Sequence, residues 1–445
     1  MKNIILNNKL LSISLFLYLF LSVEMLLWFD ESMSRNRDWA YLAATTFQFI
    51  DEKWTFPNWV YAPWYYMICS YTFGPILFLF YKLDYISLRT AGTLTYQYAN
   101  VLIHLVGLIG VIKFCKLIFF NKEQTNLLAA LFLLFPFFTK HLYQPCVEVL
   151  ALSSFPWIFY YLLKIKKKNE KILLSYLKLS LIFGLAASSK ISVLIPLFIF
   201  LFIFLFNYDL KNFFVTKKFW LSILLPAISV FIFLLISKLI IGNWIWDNTD
   251  AGNATRGYGG IPPWHIFYTF DFFEAWKADL RQADPKNSML NFWIIDFFAD
   301  QSQMSFAKPE LNHPENYIIF KFRLGILITS VFFLYYLSNI FFFFKYELNK
   351  FNYKNNFFYF RLFFVLSFFL IVPETIAYTF AVYSKGGGNF DLRYWTLYCF
   401  PLTYLIILNL GRIENFKIKK FNVYFLYIIL FFSFFQRSNL LSDYF

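Results

Sequence analysis

Apolar residues gather along this chain in long runs separated by short polar breaks. The clear runs cover 10–28, 96–117, 148–163, 219–241, 318–344, 361–382, 394–410 and 421–436, and shorter ones cover 62–81, 126–138, 172–187 and 191–206. A helix rises about 1.5 Å per residue, so about 20 apolar residues cross the roughly 30 Å of hydrocarbon in a bilayer. The pattern predicts an all-α polytopic membrane protein with about eleven transmembrane helices, in a range of about 10–13. Two long segments, 29–95 and 242–317, stand between the clear runs. The chain reads as one membrane domain over 1–445, without an internal repeat.

Composition points the same way, at 59% apolar, 24% aromatic and 15% charged. A soluble core cannot absorb that much apolar surface in continuous runs. The 64 Phe residues stand where Leu would serve equally well, which marks a compositional bias more than a binding device. Cys69, Cys115, Cys146 and Cys399 lack metal-ligand spacing and read as small apolar residues. A net charge of +14 would suggest nucleic acid in a soluble protein. Here it belongs to the loops.

Loop charge orients the chain, because cytoplasmic loops are enriched in Lys and Arg. The first run follows Lys2 and Lys9 without a small-residue cleavage site, so it reads as a retained helix with a cytoplasmic N-terminus. The basic stretch 164–171 belongs on the same side, which requires that either 62–81 or 126–138 does not cross. Laying 62–81 along the outer surface puts Lys113, Lys116 and Lys122 inside and is the better choice. The six cytoplasmic segments (the N-terminus, 113–125, 164–171, 207–218, 345–361 and 411–420) then hold 21 basic and 5 acidic residues. Outer segment 29–95 holds 5 basic and 6 acidic residues, and 242–317 holds 5 and 10. Any chemistry is therefore expected to face outward.

Within 242–317, Gly252, Gly257, Gly259, Gly260, Pro262 and Pro263 predict an irregular backbone. The stretch from Trp264 to Lys277 is aromatic and amphipathic enough to lie on a membrane surface. Trp244, Trp246, Tyr258 and Trp264 have rings that could stack on sugar faces, or could anchor the segment at the interface. His265 and His313 show no metal-ligand spacing, and Gly386-Gly387-Gly388 lacks the strand and the Lys-Ser or Lys-Thr of a phosphate loop. Asn253-Ala254-Thr255 is a glycosylation triplet of a kind that chance often produces.

In the first outer segment, Asp38 and Tyr41 stand three apart, on one face if the segment is helical. Ala40, Ala43 and Ala44 leave room beside them. By spacing alone this is either a site or a solvated interfacial helix. The order Asp38-Trp39-Ala40-Tyr41-Leu42-Ala43-Ala44, then Tyr61-Ala62-Pro63-Trp64, resembles the first outer loop of the GT-C superfamily of membrane glycosyltransferases. It is most similar to the polyprenyl-phosphate-mannose-dependent mannosyltransferases, with some likeness to the bacterial protein-mannosyltransferase-like branch. Gly184-Leu185-Ala186-Ala187-Ser188-Ser189-Lys190 resembles that superfamily's Gly-Leu-Ala…Lys hairpin. Leu392-Arg393-Tyr394, leading to Pro401, resembles its entry to a late span. Where this chain has Ala62-Pro63, a Pro-Pro pair is common in the family.

The resemblance implies transfer of a sugar from a polyprenyl-phosphate donor to a hydroxyl on a glycan, lipid or protein acceptor. It implies a bacterial inner (cell) membrane protein with its active site facing outward. Asp38 becomes the catalytic base, with Asp30 and Glu31 as competitors. Arg393 and Lys190 become ligands of the donor phosphate, either alone or with a divalent metal. A snorkelling cation at a helix end is the alternative for each. Tyr41, Tyr61, Pro63, Glu148, Tyr258 and Trp264 are expected around the substrate. Glu148, with His141 and Pro145, opens a span where relatives often carry a Pro followed by an acid, although a dipole-favoured helix start would read alike. Two other classes compete: an O-antigen-type polymerase or ligase, and a transporter or flippase. Only Arg256 and Arg281 lie in 242–317, against the Arg-rich outer segments usual in the first class. Transporters tend to show repeats and charges within their spans.

Overall fold

A computed structural model of the chain describes residues 9–27, 63–118, 121–135, 147–166, 172–189, 191–208, 217–242, 244, 264–269, 273, 276, 315–347, 365, 376, 396–411 and 413–438. Among these residues the regular structure is helical, with no strand. The α-helices are α1 (Lys9–Leu27), α2 (Trp64–Lys82), α3 (Leu88–Leu117), α4 (Lys122–Leu134), α5 (Glu148–Lys166) and α6 (Ile172–Ser188). They continue with α7 (Ile191–Tyr208), α8 (Lys217–Ile241), α9 (Glu315–Glu347), α10 (Thr396–Leu410) and α11 (Phe416–Arg437). Five contain stretches long and apolar enough to cross a membrane: Thr90–Leu117, Glu148–Ile165, Phe219–Ile241, Ile319–Phe342 and Phe416–Phe435. The described residues are helical throughout their regular structure, and these stretches mark a membrane protein. These helices do not correspond one to one with the crossings counted from loop charge, since 361–382 lies almost wholly outside the described residues.

Two helices start at least five residues before their apolar runs. Helix α3 begins at Leu88, not 96, because Ser87 caps it by accepting the Thr90 N–H at 3.1 Å. Its first turns carry Thr90, Thr93, Thr95 and Gln97, which a search for apolar runs passes over. Helix α11 begins at Phe416, not 421, where the Asn415 side chain accepts from the N–H groups of Lys417 and Ile418 at 3.0 and 3.3 Å. Such a cap is worth about 1 kcal/mol.

The helices form two compact units. One comprises residues 1–29, 122–140 and 253–445. At its centre α4 is buried at every position from Leu127 to Phe135. At 13 residues, or about 20 Å, it is too short to cross a bilayer as an isolated helix. It packs on α1, α10 and α11. Gln124 donates its amide N–H to the Ile407 carbonyl at 2.9 Å, and Phe135 meets Phe332 of α9 edge to face at 4.7 Å. Asn409 of α10 donates to the carbonyl and side-chain oxygens of Asn339, and Tyr335 of α9 donates to Asn422 of α11 at 2.8 Å.

The other unit comprises residues 30–121 and 141–252. Here α2 and α3 form an antiparallel hairpin, turned at Asp84, whose φ of 61° is one that Asp tolerates. Leu77 and Phe78 pack against Ala91, Phe73 lies 5.6 Å from Tyr98, and the Tyr65 hydroxyl donates to Asn100 at 2.6 Å. The contacts march in opposite directions along the two helices and reach Asn100, near the middle of α3. The segment expected to lie along or dip into the outer surface is a helix packed beside the first half of α3.

Parallel pairs fill the rest of this unit. The ammonium groups of Lys113 (α3) and Lys164 (α5) both approach the Tyr160 ring, at 6.0 and 5.8 Å from its centroid, so the two C-terminal ends lie together. The loop-charge count also groups these lysines on one side. Helix α6 lies parallel to α8, with Tyr176 bonded to Ser222 near their starts and Gly184 against Ser229 and Phe233 further along. Helix α7 supplies the return, packing Phe198 against Phe183 at 4.9 Å.

Two outcomes follow. Single cysteines at Lys116 and Lys164 are expected to react with an impermeant thiol reagent from the same membrane face, and a cysteine at Lys82 from the opposite one. Gly184→Leu should lower thermal stability in detergent by about 1–3 kcal/mol, because a new side chain there meets Ser229 and the Phe233 ring.

Candidate functional site

Two of the motifs singled out in the sequence meet on helix α8. Pro63 is buried at the N-cap of α2, where its fixed φ suits a helix start, and its carbonyl accepts the Met67 N–H at 2.9 Å. The next residue, Trp64, meets Phe233 edge to face at 4.9 Å between ring centroids. A Cβ at Gly184 would come within 2.8 Å of the same Phe233 ring. Glycine therefore lets the α6–α7 hairpin approach α8 next to the start of α2. The hairpin tip is polar and closed: Ser188 and Ser189 are buried, and the Ser189 hydroxyl donates to the Ala186 carbonyl at 2.6 Å. Lys190 follows directly and lies outside the described residues.

A second feature escaped the sequence reading. Thr93, Gln97, Asn100 and His104 fall at i, i+4, i+7 and i+11 on α3, which places them on one face. All four are at least 97% buried, and Asn100 and His104 are fully so. Beside them Tyr65, Tyr66 and Tyr96 form a ring cluster with centroids 5.4, 5.9 and 6.1 Å apart. The signal was available as a polar stripe of helical period inside an apolar run, but averaging over the run hides it.

Glu148 opens α5 and is 4% exposed. It shares a face with Leu152, Phe155 and Phe159. Phe159 packs on Phe114 of α3 at 6.2 Å, and the two helices are parallel. Stepping back the same number of residues on both helices brings Glu148 level with Ile103, between Asn100 and His104. One helix end thus presents a carboxylate at the depth of the polar stripe.

Among the described residues, the buried charged side chains are Glu24, Glu148 and Lys321. In the unit that contains α1, Ser438 donates to the Glu24 carboxylate at 3.4 Å. Lys321 lies near the start of the candidate span in α9 at 1% exposure. Two residues on, Arg323 places its guanidinium 5.4 Å from the centroid of the Trp276 ring. Buried ions at membrane depth are costly and mark functional positions by default. Lys321 is therefore a candidate that the sequence reading passed over. Trp264 is 69% exposed and begins a 3-10 turn, Trp264–Phe267, closed by the Thr269 hydroxyl donating to the His265 carbonyl at 2.8 Å.

Asp38, Asp30, Glu31, Tyr41, Tyr61, Tyr258 and Arg393 lie, like Lys190, outside the described residues. Pro63, Glu148 and Trp264 are the substrate-cavity candidates that the structure places. Among the described residues no group of three His, Cys, Asp or Glu is arranged to hold a metal ion. No protein-family model matches the chain, and no curated protein matches it.

The Tyr65–Asn100 bond can be tested by itself. Tyr65→Phe should cost about 1–3 kcal/mol in detergent unfolding, because it removes the donor to a buried acceptor. Adding Asn100→Leu should recover part of that loss, since removing both partners is cheaper than stranding one. An additive double variant would show that the pair is not coupled.

Proposed function

We propose that this chain is a GT-C-type glycosyltransferase, which moves a sugar from a polyprenyl-phosphate donor to a hydroxyl acceptor on the outer face of the membrane. The observation that carries this reading is an ordered series of motifs in an all-helical membrane chain: Asp38 to Ala44, Tyr61 to Trp64, Gly184 to Lys190, and Leu392 to Tyr394. The joint packing of Trp64 and Gly184 on Phe233 supports it, because two of those motifs then flank one location. The loop charges support an outward-facing site in a membrane crossed about eleven times.

The chemistry is an inverting displacement at the anomeric carbon. Asp38 takes the proton of the acceptor hydroxyl as its oxygen attacks, and the bond from carbon to phosphate oxygen breaks. A phosphate leaving group needs little protonation, so one base suffices. Arg393 binds the phosphate with its two-pronged guanidinium and Lys190 adds a point charge. Segment 242–317 is the candidate reader of the acceptor, through Tyr258 and Trp264.

The direct test is turnover of a labelled polyprenyl-phosphate sugar by purified protein without an ion gradient. Transport that requires a gradient, with no sugar released from its carrier, would favour the transporter reading. Asp38→Asn should lower transfer by about 10² to 10⁴ while donor binding stays near normal. Near-normal turnover would move the base to Asp30 or Glu31. Arg393→Ala should weaken donor binding roughly tenfold to a hundredfold, the worth of one charged hydrogen bond.

A further inference from the structure

The joined C-terminal ends of α3 and α5 carry a cluster that the transfer reaction does not use. Trp157 lies flush on α3: a Cβ at Gly110 would come within 2.7 Å of its indole, whose N–H donates to the Val106 carbonyl at 2.9 Å. Tyr160 stands edge to face with Trp157 at 5.9 Å, and Tyr161 stacks on it at 6.1 Å. Over this platform Lys113 sits 4.8 Å from the Trp157 ring and 6.0 Å from Tyr160, with Lys164 5.8 Å from Tyr160. Two ammonium groups from different helices thus converge on one ring, with Lys116 exposed on the next turn.

No carboxylate on either helix balances them nearby. Helix α3 has no Asp or Glu, and the acid in α5 is Glu148, at its opposite end. Converging like charges repel, and a shared anion turns that repulsion into attraction. The neighbouring surface indicates which anion fits. Leu102, Val106, Ile109, Lys113 and Lys116 follow one edge of α3 at i, i+4, i+7, i+11 and i+14. Leu102 and Val106 are 43% and 46% exposed, and Lys113 and Lys116 are exposed. The edge is apolar for two turns and then cationic, which is the polarity order of one phospholipid molecule.

We propose that this edge binds one anionic phospholipid, its phosphate between Lys113 and Lys164 and an acyl chain along Leu102, Val106 and Ile109. A choline headgroup would bring a third cation to the same ring, so the site favours phosphatidylglycerol over phosphatidylcholine. Scattered snorkelling lysines and belt aromatics would lack both the convergence and the preference for one headgroup charge.

The test uses the full chain in detergent with phosphatidylglycerol or phosphatidylcholine added, followed by native mass spectrometry. The wild type should retain one more phosphatidylglycerol than the Lys113→Gln/Lys164→Gln double variant, whose affinity should fall roughly thirtyfold. Lys217→Gln, at the exposed start of α8, should leave retention unchanged. Equal retention by the double variant, or equal binding of phosphatidylcholine, overturns the proposal. A second measurement does not depend on the folding of the lysine variants. Lipids brominated on the acyl chain quench nearby indoles, and the difference between wild type and Trp157→Phe isolates Trp157. Its emission should be quenched by brominated phosphatidylglycerol and released by unlabelled phosphatidylglycerol but not by phosphatidylcholine. Equal quenching by the two lipids, or equal competition, also overturns it.

Discussion

Hydrocarbon offers no water to a stray N–H or carbonyl, and that lack governs this chain. A helix satisfies its backbone from within, which is why the apolar runs become helices. Polar side chains obey the same demand locally. Ser22, Thr95, Ser237 and Thr329 each donate to a carbonyl four residues earlier on their own helix. Bonds between helices are more telling, and among the described residues they include Tyr65 to Asn100, Asn409 to Asn339, Tyr335 to Asn422 and Gln124 to the Ile407 carbonyl. Each pins a specific pair of helices that apolar contact cannot specify, because lipid tails are as apolar as leucine.

Fit does more of the work than these bonds. An interhelical side-chain bond in a membrane contributes only about 0.6 kcal/mol on average, whereas a misfit in a packed contact costs about 1–3 kcal/mol. Glycines mark the tightest contacts. Gly110 faces Trp157, Gly184 faces Ser229 and Phe233, and Gly411 faces the Gln124 amide. Each lies where a large or polar side chain must reach a neighbouring backbone. A helix pair seated in this way holds its register, and a loop that leaves it starts from a defined place.

The proposed chemistry relies on that rigidity. A lipid-linked donor already shares the membrane with the protein, so the chain must only orient the sugar and present a base. Trp64 and the hairpin glycine meet on Phe233, which places the start of α2 and the tip leading to Lys190 at one location. The buried charges among the described residues, Glu24, Glu148 and Lys321, are costly to hold in a membrane protein. Glu148 and the amide, hydroxyl and imidazole groups of the α3 stripe give that unit a polar interior within apolar walls. The carboxylate of Glu148 lies at the depth of Asn100 and His104 on that stripe.

Sequence alone determined the class and most helix positions, because the need to satisfy backbone groups in lipid acts residue by residue and leaves apolar runs of fixed length. It missed the start of α3, whose Ser87 cap and threonine-rich first turns look polar to any average over a run. Loop charge left a choice between 62–81 and 126–138 as the segment that does not cross, and favoured laying 62–81 along the outer surface. Tertiary structure decided that α2 packs beside α3, since contacts from Tyr65 to Phe78 are made with residues 13 to 35 positions away. The polar stripe also needed the fold: Gln97, Asn100 and His104 share a helical face by spacing, but only packing removes them from lipid and water. The parallel pairing of α3 with α5 had no local signal. It depends on whether Trp157 fits against Gly110, and complementary shape at 47 residues' separation leaves no periodicity to read.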